Sequence, residues 1–436
     1  MLFVLGSIIG SGIFLTTGVM AAALPSPTLL MLAWAAGGVI TLTGALTYGE
    51  LASMFPKSGG VYVYLREAFG PAVAFLYGWA ALLIFFSGGI AAVAVGFAEY
   101  LSYFAPALSP ARVLWSLATP AGSWSISAGQ IVAVTSIAAL AAINYIGVRS
   151  GNRVNVVLTI AKVAGLAALP ILALLSSASA TPAWLPVVPD VARPFAAFGV
   201  AMIAVLWAND AWYSVTWIAG EMRNPERDLP RALIGGIALL TVIYLVVNLA
   251  YLYALPIEQL RGVSRVAEHA ATALVGPSGA TFVALTVVIS TFGCNNAAIL
   301  AGARLLFAMA RDGVFLPLAA YVHPRYRTPS TAIVAIAGWA SLLALSGSYE
   351  QLFTYVMFAS ILLHMLGAVG VWRLRRTQPD TPRPYRVWGY PFVPVLYSVA
   401  SGAFVVNTLF ERPTESLAGV AFLALGLPVY WYSKKT

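Results

Sequence analysis

Charged residues are scarce in this chain. Lysine, arginine, aspartate and glutamate make up 9% of its 436 residues, whereas about 25% is usual for a soluble globular protein. Hydrophobic residues make up 60%, and the mean hydropathy is +0.87. This composition excludes an ordinary soluble domain and predicts an integral membrane protein.

Cysteine and histidine are almost absent. The single cysteine, Cys294, excludes a disulfide within one chain. His269, His323 and His364 are dispersed, so there is no HExxH motif and no cluster with metal-ligand spacing. Walker A and GxSxG motifs are also missing. The sequence therefore predicts no metal, no cofactor and no enzymatic activity.

Long apolar runs recur along the chain, each long enough to cross a hydrocarbon core of about 30 Å as a helix. They are continuously apolar, unlike the alternating strands of a membrane barrel, so we expect an all-α polytopic membrane protein of about twelve transmembrane helices. The predicted spans are 1–23, 28–54, 71–104, 126–146, 153–176, 195–219, 232–255, 279–311, 330–346, 351–373, 391–410 and 416–432.

Basic residues are distributed unevenly between alternate loops. Eighteen of the 24 lysines and arginines fall in one set of loops and five in the other, with Lys162 inside a span. The positive-inside rule then predicts a multi-pass protein of the cell (inner) membrane with both termini in the cytoplasm. The net charge of +9 is explained by these loops, and no nucleic-acid-binding motif accompanies it, so no nucleic-acid partner is expected.

Two spans contain residues that disfavour a continuous helix. Gly10-Ser11-Gly12 interrupts the first span, and Asn209-Asp210 interrupts the sixth. The first stretch fits either close helix packing, since Gly6 and Gly10 form a small-xxx-small pair, or an unwound segment. An unwound segment offers amide donors to a carboxylate and carbonyl acceptors to an ammonium, which suits a zwitterion. Breaks in the first and sixth spans are corresponding positions of an inverted-repeat transporter.

Lys162 is a charged residue predicted inside the fifth span. It either snorkels to the cytoplasmic surface or provides a buried ammonium in place of a metal cation. Weaker signals are Asn295-Asn296 in the eighth span and Tyr244, Asn248 and Tyr251 on one face of the seventh. These residues line a pocket or make interhelical hydrogen bonds, and the second interpretation is favoured for Asn248 and Tyr251.

Several motifs together resemble those of the amino acid-polyamine-organocation (APC) superfamily, most closely its L-type amino acid transporter branch. They are GSIIGSGIF (6–14), YGELASMFPKSGGVYVYLREAFGP (48–71), NYIGVRSGNRVN (144–155), TIAKV (159–163), LWANDAWYSVTWIAGEMRNPERDLPRA (206–232) and ARLLFAMARDGVFLP (303–317). The resemblance implies a five-plus-five inverted repeat with broken helices one and six. The first repeat would be 1–176, the second 195–373, and two additional helices would occupy 391–436.

The resemblance also implies sodium-independent transport or exchange of L-amino acids. It assigns the substrate's carboxylate and amine to the first break, and completion of the pocket to the sixth span, with Trp207 closing it from outside. The implied substrate-binding residues are Ile9, Gly10, Ser11, Gly12, Ile13, Trp207, Ala208, Asn209, Asp210 and Asn296. The implied cation-site residues are Lys162, whose ammonium would occupy the region of sodium in coupled relatives, its neighbour Ser290, and Tyr244.

The sequence departs from the family pattern after the sixth-span break. Ala211 stands where members often have glycine, and Asn209 where they often have an aromatic residue. Asp210 either pairs with a cationic substrate or caps amides of the broken helix; neutral amino acids are the favoured substrates. A proton-coupled symporter with a neutral Lys162, and an amino acid receptor without transport, are the alternatives.

The expected partners are L-amino acids and the lipid bilayer. The loop FAPALSPARVLWSLATPAGSWS between the third and fourth spans contains no cysteine, so no disulfide-linked heavy subunit is expected. We expect a monomer.

Overall fold

The computed structural model describes residues 2–56, 59–119, 122–147, 151–176, 182 and 193–433. Lys57, Arg149, Lys434 and Lys435, which contribute to the predicted orientation, lie outside the described residues. The first helices are α1 (Leu2–Ile8), α2 (Gly12–Ala23), α3 (Pro27–Met54), α4 (Val61–Phe69), α5 (Pro71–Ala80), α6 (Phe86–Phe104), α7 (Ala128–Ile146) and α8 (Gly151–Leu175). A π-helical segment, Ala81–Phe85, joins α5 to α6.

The second part of the chain is also helical. Its helices are α9 (Pro194–Ala208), α10 (Pro225–Ala254), α11 (Ile257–Leu260), α12 (Val266–Val275), α13 (Pro277–Arg311), α14 (Ser330–Ser346), α15 (Tyr349–Thr377), α16 (Phe392–Glu411) and α17 (Pro413–Ser433). Short 3₁₀ segments lie at Pro106–Leu108, Trp212–Glu221 and Pro317–Ala320.

Each of the twelve predicted spans coincides with one or more of these helices. Among the described residues, nine helical stretches are long and apolar enough to cross a membrane, and shorter apolar helices include Gly12–Ala23, Lys162–Leu175 and Ser330–Ser346. The helical membrane fold is therefore confirmed, whereas the count of twelve spans and the inverted repeat stay predictions.

One element corrects the all-α expectation. Strands β1 (Val113–Thr119) and β2 (Gly122–Ser127) pair antiparallel, with Ser116 opposite Ser125. In LWSLAT and SWSIS, serine and threonine are interspersed with apolar residues, a pattern typical of a hairpin. The hairpin joins two long apolar helices, and it was missed because strands were considered only as membrane-barrel segments.

Local signals in the sequence explain where several helices begin. Ser127 and Gln130 form a capping box at the start of α7, and Ser348 and Gln351 form another at the start of α15. A capping box supplies partners to amide groups that the first helical turn leaves free. The second box thereby fixes Tyr349 in the first turn of α15.

Some helices form the interior of the bundle and others its periphery. In the most apolar 18-residue stretches of Pro71–Phe104 and Tyr349–Thr377, 78% of the stretch is buried inside the protein, whereas in those of α16 and α17 the buried share is 22%. Helix α3 packs along α10, and α2 packs against α9. The interruptions in the first and sixth predicted spans consequently lie inside the bundle.

A buried ion cluster fixes the loop between α15 and α16. Glu50, which is 0% exposed, accepts hydrogen bonds from Arg375 Nε at 2.9 Å and Arg375 Nη2 at 2.6 Å. The backbone N–H of Val387 donates to the same carboxylate at 2.8 Å, and Arg383 Nε lies 3.4 Å from it. Both arginines therefore share one buried anion.

Candidate functional site: two helix breaks inside the bundle

The first break separates two short helices of the chain. Helix α1 ends at Ile8 and α2 begins at Gly12, which leaves Ile9, Gly10 and Ser11 between them. Ile9 and Ile13 are 0% exposed and Ser11 is 1% exposed. The first N–H groups of a helix and the last C=O groups have no partner within that helix. The break thus leaves amide donors of α2 and carbonyl acceptors of α1 without helical partners in the protein interior.

Lys162 supplies donors to those carbonyl groups. Its Nζ atom lies 2.8 Å from Gly6 O and 3.0 Å from Ile9 O, and the residue is 5% exposed. The snorkelling interpretation is therefore wrong, because the ammonium points into the protein at the end of α1. This contact is favourable because a helix C-terminus carries partial negative charge.

Ser290, predicted as a neighbour of Lys162, lies on α13, which packs against α8. It is 1% exposed, and its hydroxyl has no hydrogen-bond partner within the described part of the chain. A buried hydroxyl without a partner costs free energy, which makes it available to a further group.

The second break lies between α9 and the 3₁₀ segment Trp212–Glu221. Asn209 ends the helix, and its side-chain amide donates to Val205 O at 2.9 Å. Ala211 has φ 61° and ψ 14°, a left-handed conformation that costs a residue with a Cβ atom about 1–2 kcal/mol. Glycine, frequent at this position in the family that the sequence resembles, would avoid that cost.

The two breaks are in direct contact. A Cβ atom on Gly12 would lie 2.5 Å from Ala208 Cα and 2.8 Å from Ala208 Cβ. Only a residue without a side chain allows this approach. The last turn of α9 and the first turn of α2 therefore form one site.

A chain of hydrogen bonds covers this site. Trp207 Nε1 donates to Tyr349 Oη at 2.8 Å, and Tyr349 Oη donates to Ser11 Oγ at 3.1 Å. The Trp207 ring stacks on Phe353, with centroids 6.0 Å apart and planes at 21°. Sequence reasoning identified Trp207 and Ser11 but missed Tyr349 and Phe353, which carry no local motif.

Helix α10 contacts both breaks. Tyr244 Oη donates to Ala208 O at 3.1 Å, and Tyr251 Oη donates to Ile13 O at 3.2 Å. Asn248 accepts a hydrogen bond from Thr17 Oγ1 at 2.7 Å. Interhelical hydrogen bonding, the interpretation favoured for Asn248 and Tyr251, is confirmed. Tyr244 is placed on the carbonyl end of α9, a different contact from the predicted cation site.

The asparagines of α13 divide between two neighbours. Asn296 accepts a hydrogen bond from Asn144 Nδ2 of α7 at 2.8 Å, and Asn295 Nδ2 donates to Ile90 O of α6 at 3.2 Å. The structure therefore shows Asn296 in contact with α7, and its place in the substrate pocket stays a prediction. The sequence could not assign the two asparagines to these neighbours. Adjacent residues of a helix point about 100° apart, and tertiary packing sets which neighbour each one meets.

Cys294 is a further residue at the site. A Cβ atom on Gly10 would lie 3.3 Å from Cys294 Sγ, so this thiol borders the first break. A lone cysteine in an apolar run gave no indication of that position. Among the described residues, no group of three or more histidine, cysteine, aspartate or glutamate residues is arranged to hold a metal ion.

The chain is similar to known proteins along nearly its whole length. The sequence pattern of the family described as "Amino acid permease" matches residues 1–429. The serine/threonine exchanger SteT of Bacillus subtilis is 31% identical, over 99% of this chain and 94% of that protein.

Two mammalian transporters are similar over nearly the same range. The human b(0,+)-type amino acid transporter 1 is 31% identical, over 98% of this chain and 85% of its own length. The mouse large neutral amino acids transporter small subunit 2 is 29% identical, over 98% of this chain and 78% of its own length.

Proposed function

The chain belongs to the amino acid permease family of the APC superfamily, and on this basis we propose that it exchanges neutral L-amino acids across the cell membrane without sodium. Transport of amino acids follows from the family and its relatives. Sodium independence, the substrate class and the residue roles are our proposals.

The contact of Lys162 with the first break carries the proposal. Its ammonium donates to Gly6 O and Ile9 O, the kind of backbone carbonyl groups that coordinate a metal cation in broken-helix transporters. A protein cation fixed at this position makes a bound sodium ion unnecessary. We propose that Lys162 stays charged through the transport cycle and that Ser290 completes its surroundings.

The substrate's zwitterionic head fits the ends of the broken helices. We propose that its carboxylate binds amide groups at the start of α2, from Ser11 to Ile13, and that its ammonium binds carbonyl groups near Ile9 and Ala208. The partial charges of the helix termini favour this orientation. The contact between Gly12 and Ala208 keeps the two sets of groups within reach of one small molecule.

The surroundings of Asp210 support neutral substrates. Its carboxylate faces the backbone N–H of Ala211 and the hydroxyl of Ser360, so the carboxylate already has donors from the protein. A lysine or arginine substrate would have to displace them. The name of the serine/threonine exchanger agrees with this substrate class.

Alternating access requires a cover that opens. We propose that Trp207 closes the site from outside and that the first, second, sixth and seventh spans rock against the rest. The architecture in this proposal has twelve spans, repeats at 1–176 and 195–373, two further helices at 391–436 and cytoplasmic termini. We also propose a monomer without a disulfide-linked heavy subunit, although one mouse relative is named a small subunit.

The proposal is tested by uptake of labelled serine, leucine and lysine into proteoliposomes. We expect uptake of the neutral amino acids to require internal amino acid and to be indifferent to a sodium gradient. Preferential uptake of lysine would contradict the substrate class, and sodium-driven uptake would contradict sodium independence. Uptake driven by a proton gradient into empty vesicles would favour a proton symporter.

A further inference from the structure

A small pocket lies next to the second break. Residues of α3, α9, α15 and α16 line it together with Asp210 and Trp212 from the break. Its polar lining residues are Thr41, Asp210, Ser360, His364, Tyr397 and Ser401. None of the contacts described for the two helix breaks explains why a histidine and a carboxylate share this pocket.

The hydrogen bonds of His364 determine which of its ring nitrogens carries hydrogen. Nδ1 lies 2.7 Å from the backbone oxygen of Ser360, and a carbonyl oxygen can only accept, so Nδ1 is the donor. In the neutral ring Nε2 is then a bare acceptor. The residue is 2% exposed, and Nε2 is buried without a partner among the residues that the structure describes. Such an orphaned acceptor is costly.

Asp210 supplies a second acceptor to the same pocket, while nearby donors are engaged. The Ser360 hydroxyl, whose oxygen also lies 3.1 Å from His364 Nδ1, and the Ala211 N–H face the Asp210 carboxylate. Thr41 Oγ1 donates to Gly37 O at 2.8 Å, and the hydroxyl of Tyr397 is hydrogen-bonded with Ser401. The pocket therefore holds a basic nitrogen and a carboxylate with no donor directed at Nε2.

Titratable groups on neighbouring elements add no charge near neutral pH. The rings facing His364 include those of Tyr213 at 4.0 Å, Tyr48 at 6.1 Å and Tyr77 at 6.3 Å, and Tyr397 lines the pocket from α16. A tyrosine phenol ordinarily titrates near pH 10. His364 is thus the pocket residue whose ordinary titration range lies near neutral pH, and Asp210 is the carboxylate that lines the pocket with it.

We propose that Asp210 and His364 form a proton-binding site that regulates the exchange inferred above. The inference rests on that proposed function but concerns a separate set of residues from Lys162. One proton is taken up from water and binds in the pocket, at His364 Nε2 or at the Asp210 carboxylate, and no other group is consumed. Lys162 remains a fixed cation.

Proton uptake acts on the hinge of the sixth span. Asp210 directly precedes Ala211, whose left-handed backbone turns the chain from α9 into the 3₁₀ segment. The ionised carboxylate accepts from the Ala211 N–H and holds that turn. A protonated carboxyl group is a weaker acceptor, so the hinge moves more readily and exchange is faster at low pH.

Proton binding can be observed without transport. The chain has three histidines, so ¹⁵N-histidine-labelled protein gives ring-nitrogen signals from three imidazoles. The His269→Gln and His323→Gln variants then identify the signals of His364. We expect the His364 ring nitrogens to titrate between about pH 5 and pH 8 and the titration to shift in Asp210→Asn. Constant His364 signals across this range would overturn the proposal and indicate that water alone satisfies the pocket.

The functional consequence is measured as serine counterflow in proteoliposomes at equal internal and external pH. Wild-type exchange should rise at least about fivefold from about pH 8 to about pH 5, whereas Asp210→Asn and His364→Gln should not respond. His269→Gln, whose ring lies half-exposed on α12, is the matched control and should keep the wild-type profile.

These outcomes separate the regulatory site from the transport function. Counterflow at one fixed pH tests exchange, and its pH profile tests the proton site. A wild-type profile that is flat, or an unchanged profile in both pocket variants, would overturn the site even if exchange is robust. A pH response lost only in the presence of lysine or arginine would also overturn it, because the pocket would then bind the cationic side chain of a substrate.

Discussion

At the scale of single residues, Tyr349 connects the two breaks. Its hydroxyl accepts from Trp207 and donates to Ser11, so one group on α15 links Trp207 of the sixth span to the unwound part of the first. A neutral hydrogen bond contributes about 0.5–1.5 kcal/mol. Two such bonds are enough to change the equilibrium between the closed and open positions proposed for Trp207.

Removing the Tyr349 hydroxyl should open the site. In Tyr349→Phe we expect the equilibrium to shift toward the open state by at least about 1 kcal/mol, or about fivefold. Cys294 borders the first break, so its rate of labelling by a membrane-impermeant thiol reagent measures this opening.

The control for this experiment is Tyr355→Phe, on the same helix. Tyr355 Oη donates to Leu83 O at 3.1 Å, away from both breaks, and its removal should leave the labelling rate unchanged. Equal rates for wild type and Tyr349→Phe would contradict the role of the hydroxyl. Bound serine should protect Cys294 in each protein.

Lys162 contacts a different group, the carbonyl end of α1. In Lys162→Gln, the uncharged amide replaces an ammonium that contacts two carbonyl groups, so we expect a loss of transport of at least about tenfold with the protein still folded. Counterflow and size-exclusion chromatography check the two parts. Lys434→Gln is the control for a lost positive charge, and normal transport by Lys162→Gln would refute the fixed-cation role.

At the scale of elements, Ala211 determines the hinge between α9 and the 3₁₀ segment. Its positive φ angle strains a residue with a Cβ atom, so Ala211→Gly should raise the free energy of unfolding by up to about 1 kcal/mol. Thermal unfolding in detergent measures the change.

Ala201→Gly provides the opposite case. Ala201 is buried in the regular part of α9, where glycine costs about 1 kcal/mol relative to alanine. We expect destabilisation there, and destabilisation by Ala211→Gly as well would contradict the strain argument.

A second element, the loop between α15 and α16, depends on Glu50. Glu50→Gln would leave Arg375 and Arg383 beside a neutral group in a buried position, and loss of one partner of such a pair costs about 3–5 kcal/mol. Thermal unfolding should show this loss. Glu67→Gln removes a partly exposed partner of Arg66 at 3.4 Å and should cost less than about 1 kcal/mol. Similar losses for both variants would exclude a special role for the buried cluster.

At the scale of the whole molecule, the distribution of basic residues predicts orientation. In a Cys294→Ala background, Thr414→Cys lies in the first turn of α17, next to the connection from α16, and Asp380→Cys follows α15. An impermeant thiol reagent should label the first variant in intact cells and the second only after permeabilisation. The reverse pattern would place the termini outside.

The sequence by itself determined properties that depend on composition and local pattern. Scarce charge and long apolar runs predicted membrane helices. In lipid the backbone N–H and C=O groups find no water, so a spanning segment must pair them internally, as a helix does. Gly10-Ser11-Gly12 and Asn209-Asp210 predicted breaks because those residues disfavour a helix regardless of their neighbours. The structure places the Lys162 ammonium against carbonyl groups of the first break, and its role in place of a sodium ion stays a prediction.

Only the tertiary structure decided which distant side chains meet. The contact of Tyr349 with Ser11 joins residues 338 positions apart, and nothing near either residue indicates it. The pocket shared by Asp210 and His364, the direction of Asn296 toward α7 and the position of Cys294 beside Gly10 depend likewise on how helices pack. A helix presents every direction around its axis, so local sequence fixes the helix, whereas packing fixes which of its faces meets which neighbour.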